Sequence, residues 1–240
     1  MNYAGMLRVK NEARWLARCI DSLQALCEDI YLLDDHSTDE TREIARSYAN
    51  VHIYASPFTG LDERRDKDYL LSKIFNDGWA DYVVAIDGDE ELHPSAPDQI
   101  RELCETHDPL ALTCRIIYLW DKEHQWRVDG VYGRCYRPSI FRLMPEHSKY
   151  ICTPFPGNLH CTNVPATLIW GALSSEIRIM HWGYFDRELR LRKYKHYNNI
   201  DPNNLIEDCY RHVIQGDPEG PPPHQHLKHA GPLALAPLNI

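Results

Sequence analysis

Asp87-Gly88-Asp89 ends the apolar run Tyr82-Val83-Val84-Ala85-Ile86 and is followed by Glu90-Glu91. Two carboxylates one residue apart at the tip of a buried strand suit a hard divalent cation, Mg²⁺ or Mn²⁺, which brings substrate phosphates with it. Gly88 leaves the backbone free to turn and lets a ligand approach closely. Acidic turns after strands are common, so the triplet takes its meaning from its surroundings. Val9-Lys10-Asn11-Glu12 marks a strand-to-helix turn, where free N–H groups and a partial positive charge await a ligand. Plain capping by Asn11 and Glu12 accounts for that motif equally; a base or ribose pocket is the functional account. Asp34-Asp35-His36-Ser37-Thr38-Asp39-Glu40-Thr41 carries more acid than a turn requires. One Asp there can accept from the imide N–H of uracil or the N–H groups of guanine, and an acidic turn with a capping box is the bland alternative.

Alternating elements must position these groups. Strands are predicted at residues 3–9, 29–33, 51–55 and 82–86, and helices at 13–26, 37–48 and 62–76. Trp15, Leu16, Cys19, Ile20, Leu23 and Leu26 form an apolar stripe at helical spacing, with Asn11 as the predicted N-cap. Such alternation implies parallel strands covered by helices on both faces, with ligands at the carboxyl ends of the strands. Asp34-Asp35 and Asp87-Gly88-Asp89 are therefore expected on one edge of one sheet. A helix at 96–105, a long strand at 110–120, an aromatic, turn-rich region at 121–172, a strand at 175–180, a basic helix at 186–197 and a further helix at 203–215 follow. The Pro-rich remainder reads as irregular chain, extended or disordered.

At 43% hydrophobic and 25% charged residues the chain is globular, and a net charge of −9 argues against a sequence-independent nucleic-acid binder. No run approaches ~18 apolar residues, so no transmembrane segment is expected. The start lacks a signal-peptide pattern, so a cytoplasmic location is expected, with peripheral attachment at the membrane as an option. The eight cysteines show no C-x-x-C pair and read as reduced, buried thiols. A zinc site from Cys152, His160 and Cys161 fits none of the usual spacings.

Together, Arg8-Val9-Lys10-Asn11-Glu12, Leu33 to Thr41 and Ala85-Ile86-Asp87-Gly88-Asp89-Glu90-Glu91-Leu92 resemble the family-2 glycosyltransferases of the GT-A fold. The resemblance is strong over residues 3–95. It extends weakly to about 200 through Ser139-Ile140-Phe141-Arg142 and Met180-His181-Trp182-Gly183-Tyr184. It implies an α/β nucleotide-binding sandwich with a mostly parallel central sheet flanked by helices, a smaller mixed β/aromatic acceptor region and C-terminal helices. It implies one catalytic domain at 1–215, with a nucleotide-sugar half at 1–95 and an acceptor half at 96–215, before the tail at 216–240.

The resemblance implies that Val9, Lys10 and Glu12 line the base and ribose pocket and that Asp35 contacts the base. It implies Asp87 on ribose or metal, and Asp89 and His181 on Mn²⁺ or Mg²⁺. Arg65 and Lys67, with Arg64, fall where the family often places a basic residue near the donor diphosphate; a solvated helix face is the alternative. Arg187, Arg190, Arg192, Lys193, Lys195 and His196 could complement phosphates, an anionic acceptor or lipid headgroups.

The family's Glu-Asp base has no counterpart in the second half before His181, since the Glu-Asp pair there, Glu207-Asp208, falls after it, so Asp121 is the first candidate base and His160, Asp129 and Glu146 are alternatives. Trp120, Trp126 and Tyr132 form either an acceptor platform or core. The expected activity is metal-dependent, inverting hexosyl transfer from a nucleotide-diphosphate sugar, UDP-sugar favoured. The acceptor may be read as a saccharide, lipid, protein or small molecule, with nucleic acid disfavoured by charge. A sugar-phosphate nucleotidyltransferase would show a Gly-rich loop where this chain has Arg8 to Glu12. A non-catalytic binding module would keep the fold and lack turnover.

Overall fold

The computed structural model describes residues 1–145, 161–203 and 210–238. The chain forms two compact units, and the boundary falls within three strands. The first comprises Met1–Cys114 and Arg137–Ile179, the second Arg115–Tyr136 and Met180–Ile240.

In the first unit β1 (Tyr3–Val9), β2 (Asp29–Asp34), β3 (Val51–Ala55) and β4 (Tyr82–Ala85) are parallel, in the order β4-β1-β2-β3. β8 (Tyr136–Arg142) lies antiparallel to β4. β5 (Glu90–Leu92) pairs with β9 (Leu173–His181). The helices are α1 (Leu16–Gln24), α2 (Thr41–Arg46), α3 (Glu63–Asp77) and α4 (Ala96–His107).

Strand alternation sends Ala4 and Met6 of β1 into one core with Leu70, Leu71 and Ile74 of α3. A Cβ on the intervening Gly5 would point the other way, into Leu23 of α1 and Ile30. Helices thus cover both faces, as parallel strands require. α3 is bounded by sequence signals: the Asp62 side chain accepts from the Arg65 N–H, and Gly78 ends the helix with φ +66°.

α1 begins later than expected. Asn11 is not its cap; it adopts φ 56°, and Trp15 precedes the helix without a side-chain cap. The expected capping box at Ser37 to Glu40 also does other work, because α2 begins only at Thr41. The two loops clasp each other instead. The Asn11 N–H donates to Ser37 Oγ (2.9 Å), the Thr38 N–H to Asn11 Oδ1 (2.8 Å), the Glu12 N–H to Thr41 Oγ1 (2.8 Å) and the Ala13 N–H to Asp39 Oδ2 (3.1 Å). Polar loop residues that looked like helix punctuation therefore bind loop to loop.

The second unit holds the end of β6 (Ala111–Trp120), β7 (Lys122–Arg127), α5 (Arg187–Ile200) and β10 (Leu235–Pro237). β7 is antiparallel to both β6 and β10. The Pro-rich tail is packed rather than disordered. Gln215 Nε2 donates to the carbonyls of Gln225 (2.8 Å) and Gly231 (3.1 Å), and the Leu233 N–H donates to that of Pro223 (2.6 Å). Trp120, Tyr132 and Ala230 share a buried cluster, so Trp120 and Tyr132 fill core rather than offer a platform. Cys161 is disulfide-bonded, which corrects the reading of eight reduced thiols and removes its thiolate from any zinc set. Cys152, Glu146 and His160 lie outside the described residues. No helix among the described residues is long and apolar enough to cross a membrane.

Candidate active site

The parallel register sets the site in the first unit. Val9 pairs with Asp34 and Met6 with Ala85, so the carboxyl ends of β1, β2 and β4 release their loops at one sheet edge. The expectation that both acidic turns share that edge holds.

The two aspartates where β2 ends, Asp34 and Asp35, divide their labour. Asp34 is fully buried and structural, accepting from Arg42 Nε at 2.6 Å and from the Ser37 N–H at 3.3 Å. Asp35 follows it; its N–H donates to the Val9 carbonyl (2.8 Å), and its Oδ2 accepts from Arg8 Nη2 (2.8 Å) and Lys10 Nζ (3.4 Å). Arg8 Nε also donates to Asp66 Oδ2 at 2.9 Å, so one guanidinium ties the β2 turn to α3. Neither Arg8 nor Asp66 was assigned a site role from the sequence; the burial of Asp66 becomes visible only when α3 packs on β1.

Arg65 donates to Asp66 Oδ1 (2.7 Å) and to the carbonyls of Thr59 and Gly60, and it lies 4.4 Å from the Phe58 ring centroid. Lys67 is buried, and its Nζ donates to Asn163 Oδ1 (2.7 Å) and the Cys161 carbonyl (3.0 Å). Asn163 Nδ2 in turn donates to the Ala85 carbonyl at 3.1 Å, at the end of β4. Burial lowers the Lys67 pKa, while Asp87 and Glu63 work to raise it. Arg65 and Lys67 thus secure the frame of the site through internal partners. Arg64 lies 3.7 Å from Asp68 on the helix face.

The acidic turn is packed closely against the first loop. A Cβ at Gly88 would stand 2.8 Å from Val9 Cγ1 and 3.1 Å from Glu12 Cγ, so glycine is what admits Val9 and Glu12 beside the turn. Asp89 is buried. Asp87 Oδ2 accepts from Arg137 Nη1 at 3.1 Å, and the Arg137 fork continues to Glu90 Oε2 at 2.5 Å. Burial pushes the Glu90 carboxyl up to about 7; Arg137 pulls it down, and Asp87 and Asp89 push it up. Beneath the turn, the buried Cys19 thiol donates to the Asp87 carbonyl (3.5 Å), and burial followed by the charges of Glu90 and Asp89 drives its pKa well up.

The donor set fits a hard divalent cation in charge and kind: the carboxylates of Asp87 and Glu90 share one guanidinium, the Asp89 charge acts on Glu90, and Glu90 Oε1 is buried without a hydrogen-bond partner. Among the described residues no group of three or more His, Cys, Asp and Glu is assembled to hold a metal alone. Oxygens of a diphosphate would complete such a shell.

The second unit holds the remaining candidates. His181 is buried, with its ring centroid 5.0 Å from that of Tyr118 and 4.9 Å from that of Tyr184. Its Nδ1 accepts from the Gly183 N–H at 3.2 Å, which leaves the proton of the neutral ring on Nε2. Asp121 has φ 61° and a half-exposed carboxylate, with Oδ1 accepting from Arg190 Nη1 at 2.9 Å. Asp129 is taken out of contention as a base by its partners: Arg127 donates to both its oxygens at 2.8 and 2.9 Å, and the Ala234 N–H donates to Oδ1.

The basic face of α5 is partly spent inside the unit. Arg190 is buried and bonded to Asp217, Arg187 bonds Glu219, and Lys193 lies 5.0 Å from the Tyr184 ring. Although burial works to lower it, Asp217 and Asp121 hold the Arg190 pKa above its ordinary value.

Known proteins are similar to this chain in sequence and in fold. The chain is 27% identical over 131 residues to an uncharacterized glycosyltransferase of Rickettsia prowazekii, covering 53% of this chain and 42% of that protein. It is 26% identical over 216 residues to an uncharacterized protein of Mycobacterium tuberculosis, covering 85% of this chain and 51% of that one. The chain thus spans about half the length of these relatives. Among solved structures, TarS of S. aureus superposes with a TM-score of 0.55 at 15% identity, covering 89% of this chain and 42% of TarS. Its 1–349 portion in complex with UDP-GlcNAc gives 0.54 at 15% identity, over 89% of this chain and 70% of that one. The shared fold is the GT-A fold, an α/β architecture with a mostly parallel central sheet flanked by helices. With the profile described as glycosyl transferase family 2 matching residues 7–164, well over half of the sequence, this chain belongs to that family of glycosyltransferases.

Proposed function

We propose that this chain is a divalent-cation-dependent, inverting hexosyltransferase whose donor is a UDP-sugar and whose acceptor is a hydroxyl compound. The observation that carries the reading is the convergence, at one sheet edge, of Asp35 held by Arg8 and Lys10 with the turn Asp87-Gly88-Asp89 packed on Val9 and Glu12. A carboxylate fixed by two cations suits a pyrimidine imide, and the TarS complex with UDP-GlcNAc is a precedent for a uridine donor.

Asp89, with Asp87 shared between ribose and metal, would hold Mn²⁺ or Mg²⁺. When bound, the cation supplies neutralisation of the charge that develops on the leaving diphosphate. Arg65 and Lys67 serve by holding α3 and the segment around Asn163 in place. Inversion requires a carboxylate to take the proton of the acceptor hydroxyl as the hydroxyl oxygen attacks the anomeric carbon and the diphosphate leaves.

Calorimetric titration of the full chain with UDP tests the reading. Mn²⁺ should strengthen UDP binding by on the order of tenfold or more, a typical coupling between linked ligands. Asp89→Ala should abolish that strengthening. Equal affinity for UDP with and without Mn²⁺ in the unaltered protein would sink it.

A further inference from the structure

Arg137 carries a charge that the sequence did not bring to the site. It sits at the start of β8, and its Nη1 donates to Asp87 Oδ2 at 3.1 Å while Nη2 donates to Glu90 Oε2 at 2.5 Å. The same Glu90 oxygen accepts from the Asp87 backbone N–H at 2.9 Å, closing a ring through side chain and main chain. Nε reaches Ser139 Oγ at 3.4 Å, which fixes the plane of the fork. Glu90 is 1% exposed, and its second oxygen is buried without a hydrogen-bond partner. An arginine cannot give up its charge. A divalent cation arriving alone at Asp87 therefore comes to lie beside a fixed positive group, and at Oδ2 it must displace Arg137.

We propose that Arg137 is a positioning residue that occupies the place of the cation at Asp87 until the donor arrives, making metal and diphosphate enter together. It holds the Asp87 carboxylate in one orientation and keeps the affinity for metal alone low. A diphosphate changes the balance, because the guanidinium can transfer its two N–H groups to phosphate oxygens, which suit its planar fork as well as carboxylates do. Asp87 is then released to the cation. Metal and nucleotide become positively coupled through one side chain, and by linkage the coupling is reciprocal. This inference rests on the donor-site reading above, and it concerns binding order rather than turnover.

The test is Mn²⁺ binding to the full chain, read from the loss of the free-ion electron paramagnetic resonance signal, with and without UDP. Arg137→Gln should bind Mn²⁺ without UDP on the order of tenfold more tightly than the unaltered chain, and the gain in Mn²⁺ affinity on adding UDP should shrink by a similar factor. Arg137→Lys keeps the charge and should stay within about threefold of the unaltered chain without UDP; it also reports on the site if the Gln variant fails to fold. Unchanged or weaker Mn²⁺ binding by a folded Arg137→Gln, or an Arg137→Lys variant that behaves like Arg137→Gln, overturns the proposal and leaves the donor site standing. Absence of Mn²⁺ binding to the unaltered chain even with UDP overturns the donor-site reading itself.

Discussion

Lys67 keeps an ammonium group inside the protein, held by the Asn163 side chain and the Cys161 carbonyl. Burial lowers its pKa from the usual 10.5, so the unfolded chain binds the proton more readily than the folded one. Just below 10.5 the unfolded state then carries the extra proton, and stability rises with pH through that window. Lys67→Met should remove this rise: the denaturant midpoint of the unaltered chain, measured against that of the variant, should climb between pH 8 and pH 10. A flat difference would mean that Lys67 titrates as an exposed lysine does. At this scale the sequence pointed to chemistry by type alone. Asp35, Asp87 and Asp89 stood out because two acids after a strand exceed what a turn needs. Lys67 read as a phosphate-facing cation because a helix face in sequence does not disclose which side packs inward.

At the scale of elements, the close approach of two loops makes the site. Gly88 has Val9 Cγ1 where its Cβ would be, at 2.8 Å, and Glu12 Cγ at 3.1 Å. Gly88→Ala must push apart the first loop and the acidic turn. Overpacking of this kind costs typically 1–3 kcal/mol, roughly, in a tightly packed region. The variant should lower thermal stability, and UDP affinity should fall by on the order of tenfold, one decade for each ~1.4 kcal/mol. Unaltered UDP binding by the variant would separate the two loops functionally.

The strands β1 and β3 were legible to the residue because their apolar runs end in turn signals. α1 was misplaced because Asn11, Ser37 and Thr38 have side chains that serve a helix cap and a loop-to-loop clasp equally well. β7 was missed because Lys122-Glu123-His124-Gln125 are polar and mostly exposed, so no alternation marked it. β8 was glimpsed only in part, and with it went Arg137.

Across the whole molecule, the tail is built into the second unit by one buried network. Arg127 is fully buried; it donates to Asp129, to the His212 carbonyl (2.6 Å) and to Gln215 Oε1 (2.5 Å). Gln215 then anchors the Pro-rich chain through its amide. Gln215→Ala removes partners from a buried guanidinium and from several carbonyls, and an unmade buried hydrogen bond costs roughly 1–3 kcal/mol. The variant should melt lower, and amide hydrogen exchange across residues 216–238 should quicken. Retained protection there would show that β10 and the Leu233 bond to Pro223 suffice. Proline and glycine content alone suggested disorder for this segment, because composition counts local turn formers and cannot count the distant donors that hold them.

The sequence by itself determined the α/β alternation, the parallel strands that bring both acidic turns to one edge, and the family. Each is written in local patterns: apolar runs, helical spacing and a few acids next to turns. Only the tertiary structure decided which charges meet. Arg8 joins Asp35 to Asp66 across 58 residues of chain, and Arg137 closes on Asp87 from 50 residues away. Ion pairs of that separation have no local signature, since any arginine can serve any carboxylate until the backbone has fixed both. The acidic turn therefore pointed to the chemistry, and the folded strands supplied its counter-charge.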